Sequence, residues 1–301
     1  MNIPKEIGER IRASWDADEL SLYGRFDFIL AKDGTPKILE FNADTPTSLL
    51  EASVIQWQWK EDVFPECDQF NGIHEGLVQS WKDIFPKKGE IHFAGALENN
   101  EDTGTLQYLA STAMEAGFST RVLDMQALDL QNGRFFDPAG ELVNRCFKLY
   151  PWEWMVDESP DGCLAEMEWL EPIWKLVMSN KAILATLYEL FPDSPYVLPC
   201  YLSRPRSGLF CKKPVFSREG HNVSVVDIRD WEEYVRIAET EGDYNTGAYV
   251  YQEYAEPTAY SGRYPVIGSW IIGGEAAGIG IRENRMEVTD NLSEFVPHII
   301  G

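Results

Sequence analysis

Arg25-Phe26-Asp27-Phe28-Ile29-Leu30, then Lys37-Ile38-Leu39-Glu40-Phe41-Asn42 running into Ala43-Asp44-Thr45-Pro46-Thr47-Ser48, is the stretch that decides the fold. In the first string Phe26, Phe28 and Leu30 alternate with Arg25, Asp27 and Ile29, the period of two that marks a strand. Lys32-Asp33-Gly34-Thr35-Pro36 has the composition of a turn, and the second string returns as a partner strand. Glu40 and Asn42 are separated by a single residue and so share a face, and the hairpin brings Asp27 alongside them. Two carboxylates and an amide oxygen, with Arg25 close by, are hard ligands suited to Mg²⁺ that also holds substrate phosphates. The same polar face would also serve as a solvated surface. Two features favour a site: Phe26, Phe28, Leu39 and Phe41, expected to lie buried on the opposite face, and the short hydrogen-bonding side chains from Asp44 to Ser48.

The 301 residues are enough for a substantial core, in one large domain or a few interlocked lobes. A formal net charge of −23 argues against a nucleic-acid backbone as partner, because neutralising phosphates takes Lys and Arg. An acidic surface attracts cations, polyamines included, although acidity of this kind also serves solubility alone. The five cysteines (Cys67, Cys146, Cys163, Cys200, Cys211) are scattered and form no CxxC pair, which reads as reduced thiols. The four histidines lie far apart and suggest no zinc site. No apolar run has the length of a membrane span, and the start lacks the basic-then-apolar form of a signal peptide. A soluble cytoplasmic protein with no membrane partner is the expectation.

Outward from the hairpin, residues 3–16 read as a helix, with Ile7, Ile11 and Trp15 at helical spacing. Residues 48–58 and 70–84 read as two more, the latter with Ile73, Leu77, Val78 and Trp81 as its apolar stripe. Residues 91–97 read as a buried strand, 98–103 as a polar loop, 106–116 as a helix and 120–124 as a further strand. This is a βαβ unit, with a loop at the strand's carboxyl end where ligands usually bind. The aromatic run Leu149-Tyr150-Pro151-Trp152-Glu153-Trp154 reads as a packed surface between lobes. A helix is expected over 180–190, strands over 209–216, 223–226 and 249–254, and a hairpin of 266–272 with 276–282 about Gly273-Gly274-Glu275.

Lys213 stands near the end of a strand, just before the loop Ser217-Arg218-Glu219-Gly220. A strand-loop-strand with a glycine and free backbone N–H groups is one way to cover a polyphosphate, and a lysine beside it neutralises phosphate oxygens as a point charge. Lys181, at the start of the expected helix, would reach the same phosphates. Taken singly, each lysine is also an ordinary surface charge. Neither the GxxxxGK[ST] loop nor a GxGxxG fingerprint is present.

Together with Tyr150-Pro151-Trp152-Glu153, Ser179-Asn180-Lys181-Ala182, Lys213-Pro214-Val215-Phe216-Ser217-Arg218-Glu219-Gly220 and Gly278-Ile279-Gly280-Ile281-Arg282-Glu283, the hairpin strings resemble the glutathionylspermidine synthase family, in particular its stand-alone acid–amine ligase members. The resemblance runs in order from Ile3 to His298. It implies an α/β ATP-grasp fold with an associated βαβ substrate lobe. Residues 1–60 would form the metal-binding hairpin and helices as part of the ATP-grasp core, 61–150 the substrate lobe, and 151–301 the nucleotide-binding lobes. It also implies an ATP- and Mg²⁺-dependent carboxylate–amine ligase that forms an amide through an acyl phosphate and releases ADP and phosphate. Asp27, Glu40 and Asn42 match the ligands of a pair of Mg²⁺ ions. Arg25 matches the arginine that stabilises charge on the transferred phosphoryl group, and Arg282 a second of that kind. Lys181, Lys213 and Gly220, with Arg25, match ATP contacts, and Gln252-Glu253-Tyr254 match the adenine-binding hinge. Thr45 matches the carboxylate site, and Glu101 and Asp102 fall where the family binds its amine.

The implied substrates are a carboxylate, peptide or glutathione-like, and an amine such as a polyamine. Nothing resembles the cysteine amidase domain of the bifunctional members. Close relatives carry further residues before the segment that starts at Ile3, so a short form or a truncation is expected. A catalytically silent ATP-binding regulatory module is the alternative reading, and a small-metabolite kinase uses the same ATP parts.

Overall fold

The computed structural model describes residues 3–218, 220–230, 234–242, 247–285 and 293–301; Glu219 of the expected phosphate loop lies outside the described residues. Tyr23–Leu30 and Pro36–Asn42 pair antiparallel, placing Arg25 opposite Asn42, Phe26 opposite Phe41 and Asp27 opposite Glu40. The register slips after Asp27, so Phe28 faces Ile38 and Leu39 is the extra residue of a bulge. Bulges re-aim side chains next to sites. Here Leu39 joins Glu40 on the cleft side rather than taking its expected place on the apolar face.

The burial of the hairpin also reverses the expectation. Arg25 and Asp27 are buried, at 4% and 2% exposure, whereas Phe26, Phe28 and Phe41 are only half-buried. The other lobes close over the polar side, and Phe26 and Phe41 cover each other by stacking at 4.1 Å on the outer side.

The hairpin belongs to an antiparallel sheet ordered Glu294–Val296, Glu275–Asn284, Tyr264–Ile272, Tyr23–Leu30, Pro36–Asn42, so strands from the two ends of the sequence lie side by side. The expected hairpin about Gly273-Gly274-Glu275 forms, and φ values of 57° and 91° at Gly273 and Gly274 explain the two glycines. A second antiparallel sheet runs Cys200–Tyr201, Tyr249–Glu253, Gly208–Pro214, Ser224–Ile228, Tyr234–Glu239. The third sheet is parallel, ordered Ser119–Asp124, Glu90–Gly95, Arg145–Leu149, Glu168–Leu170, with the helix Asn100–Glu115 completing the expected βαβ unit. Short strands Asp129–Gln131, Arg134–Phe136 and Leu142–Val143 make a small fourth sheet.

Residues 98–103 are not a loop throughout. The helix begins at Asn100 because the Asn99 side chain accepts from Glu101 N at 2.9 Å, and Glu101 and Asp102 sit in its first turn. A cap and two carboxylates at the positive end of the dipole account for the earlier start. Elsewhere the expected helices begin later, at Lys5, Ile73 and Ile183. The one expected over 48–58 contains a π turn, Glu51–Ile55, before Gln56–Val63.

The largest apolar core joins the central sheet to the βαβ lobe through Tyr23, Trp270, Phe147, Phe93 and Trp81. A second, with Trp152, Trp169, Met155 and Leu176, fills the other face of the parallel sheet. Of the aromatic run, Leu149 and Trp152 are buried as a packed surface requires, whereas Tyr150 is half-buried and Trp154 is exposed.

Candidate active site

The two antiparallel sheets face each other across a cleft of about 1200 Å³, open mouth included. The central sheet contributes Arg25, Asp27, Leu39, Glu40, Asn42 and Arg282, and the second sheet contributes Cys211, Lys213, Gln252 and Glu253. Thr45, Lys181, Arg218, Gly220 and Tyr254 line it from connecting segments. Every expected metal, arginine and ATP position therefore meets in one place, with Thr45. Glu101 and Asp102 do not line the cleft, although the negative charge of Glu101 is felt at Arg25.

The charged end is organised around Asp27. Arg25 grips its carboxylate with Nε to Oδ1 at 2.6 Å and Nη2 to Oδ2 at 3.0 Å, while Nη1 donates to the carbonyl of Thr47. Arg282 Nη2 donates to Asp27 Oδ2 at 2.7 Å, and Asn42 Nδ2 to the same oxygen at 3.1 Å. Burial and the neighbouring Arg25 push Arg282 below its ordinary pKa, against the pull of Asp27 and Glu40.

Glu40 pairs with Lys181 at 3.0 Å. Burial would raise its carboxyl, but Lys181 and Lys213 outweigh that and, with Arg25, hold it down at about 2. Lys181 Nζ also donates to Ser217 O at 2.7 Å, so this lysine is tied to the expected phosphate loop. Lys181 does not open the following helix; it sits in the turn before it, with its N–H on Val215 O at 2.8 Å. Lys213 Nζ donates to Gln252 Oε1 at 2.7 Å and Leu39 O at 3.0 Å. The Gln252 side chain thus positions a lysine, and its Nε2 holds Ile38 O at 2.8 Å. The backbone N–H groups of Glu253 and Tyr254 are taken by Pro199 O and Leu209 O.

Sequence reasoning assigned no role to Arg218, which bonds the Thr45 hydroxyl through Nη1 and Glu153 Oε1 through Nη2 at 2.6 Å. Both Arg218 and Glu153 stood in the quoted strings, but local pattern does not pair residues so far apart. The hydroxyls of Ser179 and Ser217 are buried next to them without a hydrogen-bond partner among the described residues.

Among the described residues, five cationic side chains, Arg25, Lys181, Lys213, Arg218 and Arg282, thus line the cleft against three carboxylates, Asp27, Glu40 and Glu253, in a chain whose net charge is −23. Such a local reversal of sign is built for a polyanion. Ile29, Leu39, Leu198, Val223 and Val266 give the same cleft an apolar lining beside the charged groups. For a metal, Asp27, Glu40 and Asn42 offer two carboxylates and an amide. Among the described residues no group of three or more His, Cys, Asp or Glu forms a metal site. The donor set fits Mg²⁺, which is usually held by one or two carboxylates and completed by phosphates and water.

Two antiparallel sheets closing on a charged cleft, with an α/β lobe beside them, make an ATP-grasp fold. The chain belongs to the glutathionylspermidine synthase preATP-grasp family, which it matches over residues 1–301. A Haemophilus influenzae protein named "Putative acid–amine ligase" is 39% identical over 96% of this chain and 77% of its own length. The bifunctional glutathionylspermidine synthetase/amidase of Escherichia coli is 26% identical over 99% of this chain, which spans 52% of that enzyme. Trypanothione synthetase of Crithidia fasciculata is 28% identical over 97% of this chain and 49% of its own length. Among solved structures, the "Putative gamma-glutamylcysteine synthetase" of Methylobacillus flagellatus superposes with a TM-score of 0.61 over 97% of this chain and 84% of its own, at 10% identity, a likeness of fold. No helix among the described residues is long and apolar enough to cross a membrane.

Proposed function

We propose that this chain is an ATP- and Mg²⁺-dependent carboxylate–amine ligase. The observation that carries the reading is the convergence of five cations and the Asp27-Glu40-Asn42 set in one cleft of an acidic chain. The names of the relatives, an acid–amine ligase and a glutathionylspermidine synthetase, support an acid and an amine as substrates.

ATP lies with its base against the apolar side chains of the cleft and its phosphates against Lys181, Lys213 and Gly220. Asp27, Glu40 and Asn42 hold Mg²⁺, which when bound screens the phosphate charge. A carboxylate oxygen of the acid attacks the γ-phosphorus, the bond to the β,γ-bridging oxygen breaks, and ADP leaves. Arg25 and Arg282 stand where the transferred group carries charge, a place where fixed cations lower the barrier. The amine nitrogen then attacks the acyl carbon, phosphate departs, and the amine proton passes to solvent or a nearby carboxylate. Thr45, held by Arg218, contacts the acid, and Glu101 and Asp102 draw in the amine as its cation. Residues 1–60 and 151–301 serve ATP and metal, and 61–150 serves the substrate lobe. A glutathione-like acid and a polyamine are the first substrates to try, and five cysteines outside any disulfide fit a cytoplasmic setting.

The experiment is ADP release with ATP, Mg²⁺ and a panel of acids and amines, followed by product masses. ADP together with an amide-mass product, abolished by Lys213→Met and Glu40→Ala, supports the ligase. ADP without an amide, independent of the amine, points to hydrolysis or a kinase and refutes it. ATP binding with no ADP under any condition indicates a silent module.

A further inference from the structure

Four consecutive residues carry the strand edge into the cleft: Asn42 bears a donor of the metal set and Thr45 faces the acid, while Ala43 and Asp44 between them are buried. Two buried ion pairs hold this segment from behind. Lys175 Nζ donates to Ala43 O at 2.8 Å and Tyr23 O at 2.9 Å, and lies 3.3 Å from Glu171 Oε2. Glu171 Oε1 in turn accepts from Leu22 N at 3.0 Å and Tyr23 N at 3.1 Å. One pair thus grips the strand leading to Arg25 and the residue leaving Asn42. Lys148 Nζ donates to Asp44 Oδ1 at 2.7 Å and Tyr150 O at 2.8 Å, and Asp44 Oδ2 accepts from Trp152 N at 2.9 Å. Lys148, Asp44 and Glu171 are at most 1% exposed, and neither lysine lines the cleft.

Buried ion pairs are poor devices for stability alone, since well-packed apolar residues of similar volume are often as stable or better. What these pairs supply is direction. Each lysine fixes carbonyl or carboxylate oxygens at set distances, and they meet on the only two residues between Asn42 and Thr45. We propose that Glu171–Lys175 and Asp44–Lys148 are positioning pairs, the first setting Asn42 for the metal and the second setting Thr45 for the acid. This rests on the ligase reading and adds to it the residues that hold its two half-sites in register. Groups that orient direct ligands typically matter about 10- to 100-fold in affinity or activity.

The test uses variants that leave no buried charge and keep the backbone bonds partly met: Glu171→Gln with Lys175→Met, and Asp44→Asn with Lys148→Met. Val143→Ala, in the small fourth sheet, serves as a control for general destabilisation. Binding of a non-hydrolysable ATP analogue is measured by calorimetry with Mg²⁺ and with EDTA. The Glu171/Lys175 variant is expected to lose about tenfold or more of the gain that Mg²⁺ gives, with affinity in EDTA within about threefold of the parent. The Asp44/Lys148 variant is expected to raise KM for the acid about tenfold or more while Mg²⁺-ATP affinity holds within about threefold. Parental values of the Mg²⁺ gain and of acid KM in the folded variants would overturn the inference, as would equal losses in Val143→Ala at a matched fall in Tm. A parent protein that forms no amide with any pair refutes the ligase reading and with it the acid-positioning role of Asp44–Lys148. The role of Glu171–Lys175 still stands or falls on the Mg²⁺ gain, which is read without turnover.

Discussion

Arg282 Nη2 donates to Asp27 Oδ2 at 2.7 Å, so Arg25 and Arg282 converge on one carboxylate from two strands of the central sheet. Arg25 is the inner of the two, at 4% exposure, with its guanidinium 5.7 Å from the centre of the Trp270 ring. Replacing Arg282 by Gln keeps a donor for Asp27 and removes the charge. Turnover is expected to fall about 10²- to 10³-fold, the loss typical of a transition-state donor, with ATP affinity little changed. Single-turnover kinetics and calorimetric ATP binding separate the two effects. Weakened ATP binding with unchanged turnover would move Arg282 out of its assigned role.

Gly268 tests the same carboxylate from the opposite side. It is the cross-strand partner of Asp27, and a Cβ there would lie 2.7 Å from Arg25 Cδ. Its backbone is ordinary strand, so Gly268→Ala carries no penalty of φ. It acts by pushing a buried arginine away from its carboxylate. A displacement of that kind costs roughly 10²-fold in turnover when it misplaces a reacting group. Near-parental circular dichroism with sharply reduced turnover is the expected outcome. Parental turnover would mean that the Arg25 geometry is not critical.

The hairpin was legible because period-two alternation and a glycine-containing turn are local signals, and both strands form with Asp27 opposite Glu40. Which face is covered was not legible. Alternation defines two faces, and only the other lobes, closing over Arg25 and Asp27, decide between them. The phase slip at Leu39 likewise depends on the partner strand. The Asn99 cap was readable, since Asn followed by Glu101-Asp102 is a helix-start signature, and it places those acids in a helical turn. Lys148 and Lys175 were invisible to patterning, because a lysine in a binary pattern reads as surface and their compensation comes from Asp44 and Glu171. Lys181 and Lys213 were read onto one phosphate site from the strand-and-loop pattern, whereas bringing Arg282 to the same place followed from the family resemblance.

Cysteine chemistry gives a map of the cleft. Burial pushes Cys200 up to about 11 and Cys163 up to about 12, and raises Cys146 as well, so these thiols are poor nucleophiles at neutral pH. Cys67 and Cys211 are partly exposed, and Cys211 lines the cleft. Iodoacetamide at pH 8 should label Cys67 and Cys211 and spare the other three. Mg²⁺-ATP should slow Cys211 labelling about tenfold or more while leaving Cys67 unchanged, as peptide mass spectrometry will read. Equal protection of both, or of neither, would place the nucleotide elsewhere.

Glu40 sets the acid limit of the site. Its carboxyl falls from an ordinary 4.5 to about 2 because Lys181 and Lys213 outweigh the cost of burial. The folded value is the lower one, so the unfolded chain takes up the proton first. The stabilisation from Glu40 is therefore complete above about pH 5, shrinks as pH falls through 4.5, and is gone once pH drops below 2. Its size is about 3 kcal/mol at most, from a shift worth about 1.4 kcal/mol per pH unit. Glu40→Gln has no carboxylate to protonate and leaves Lys181 without its partner charge, 3.0 Å away in the parent. In metal-free urea titrations the parent should be the more stable protein at pH 7, and the difference should narrow steadily between about pH 5 and pH 2. A pH-independent difference would show that the carboxyl is not held ionised by the two lysines, and the phosphate-binding role given to them would lose its electrostatic support.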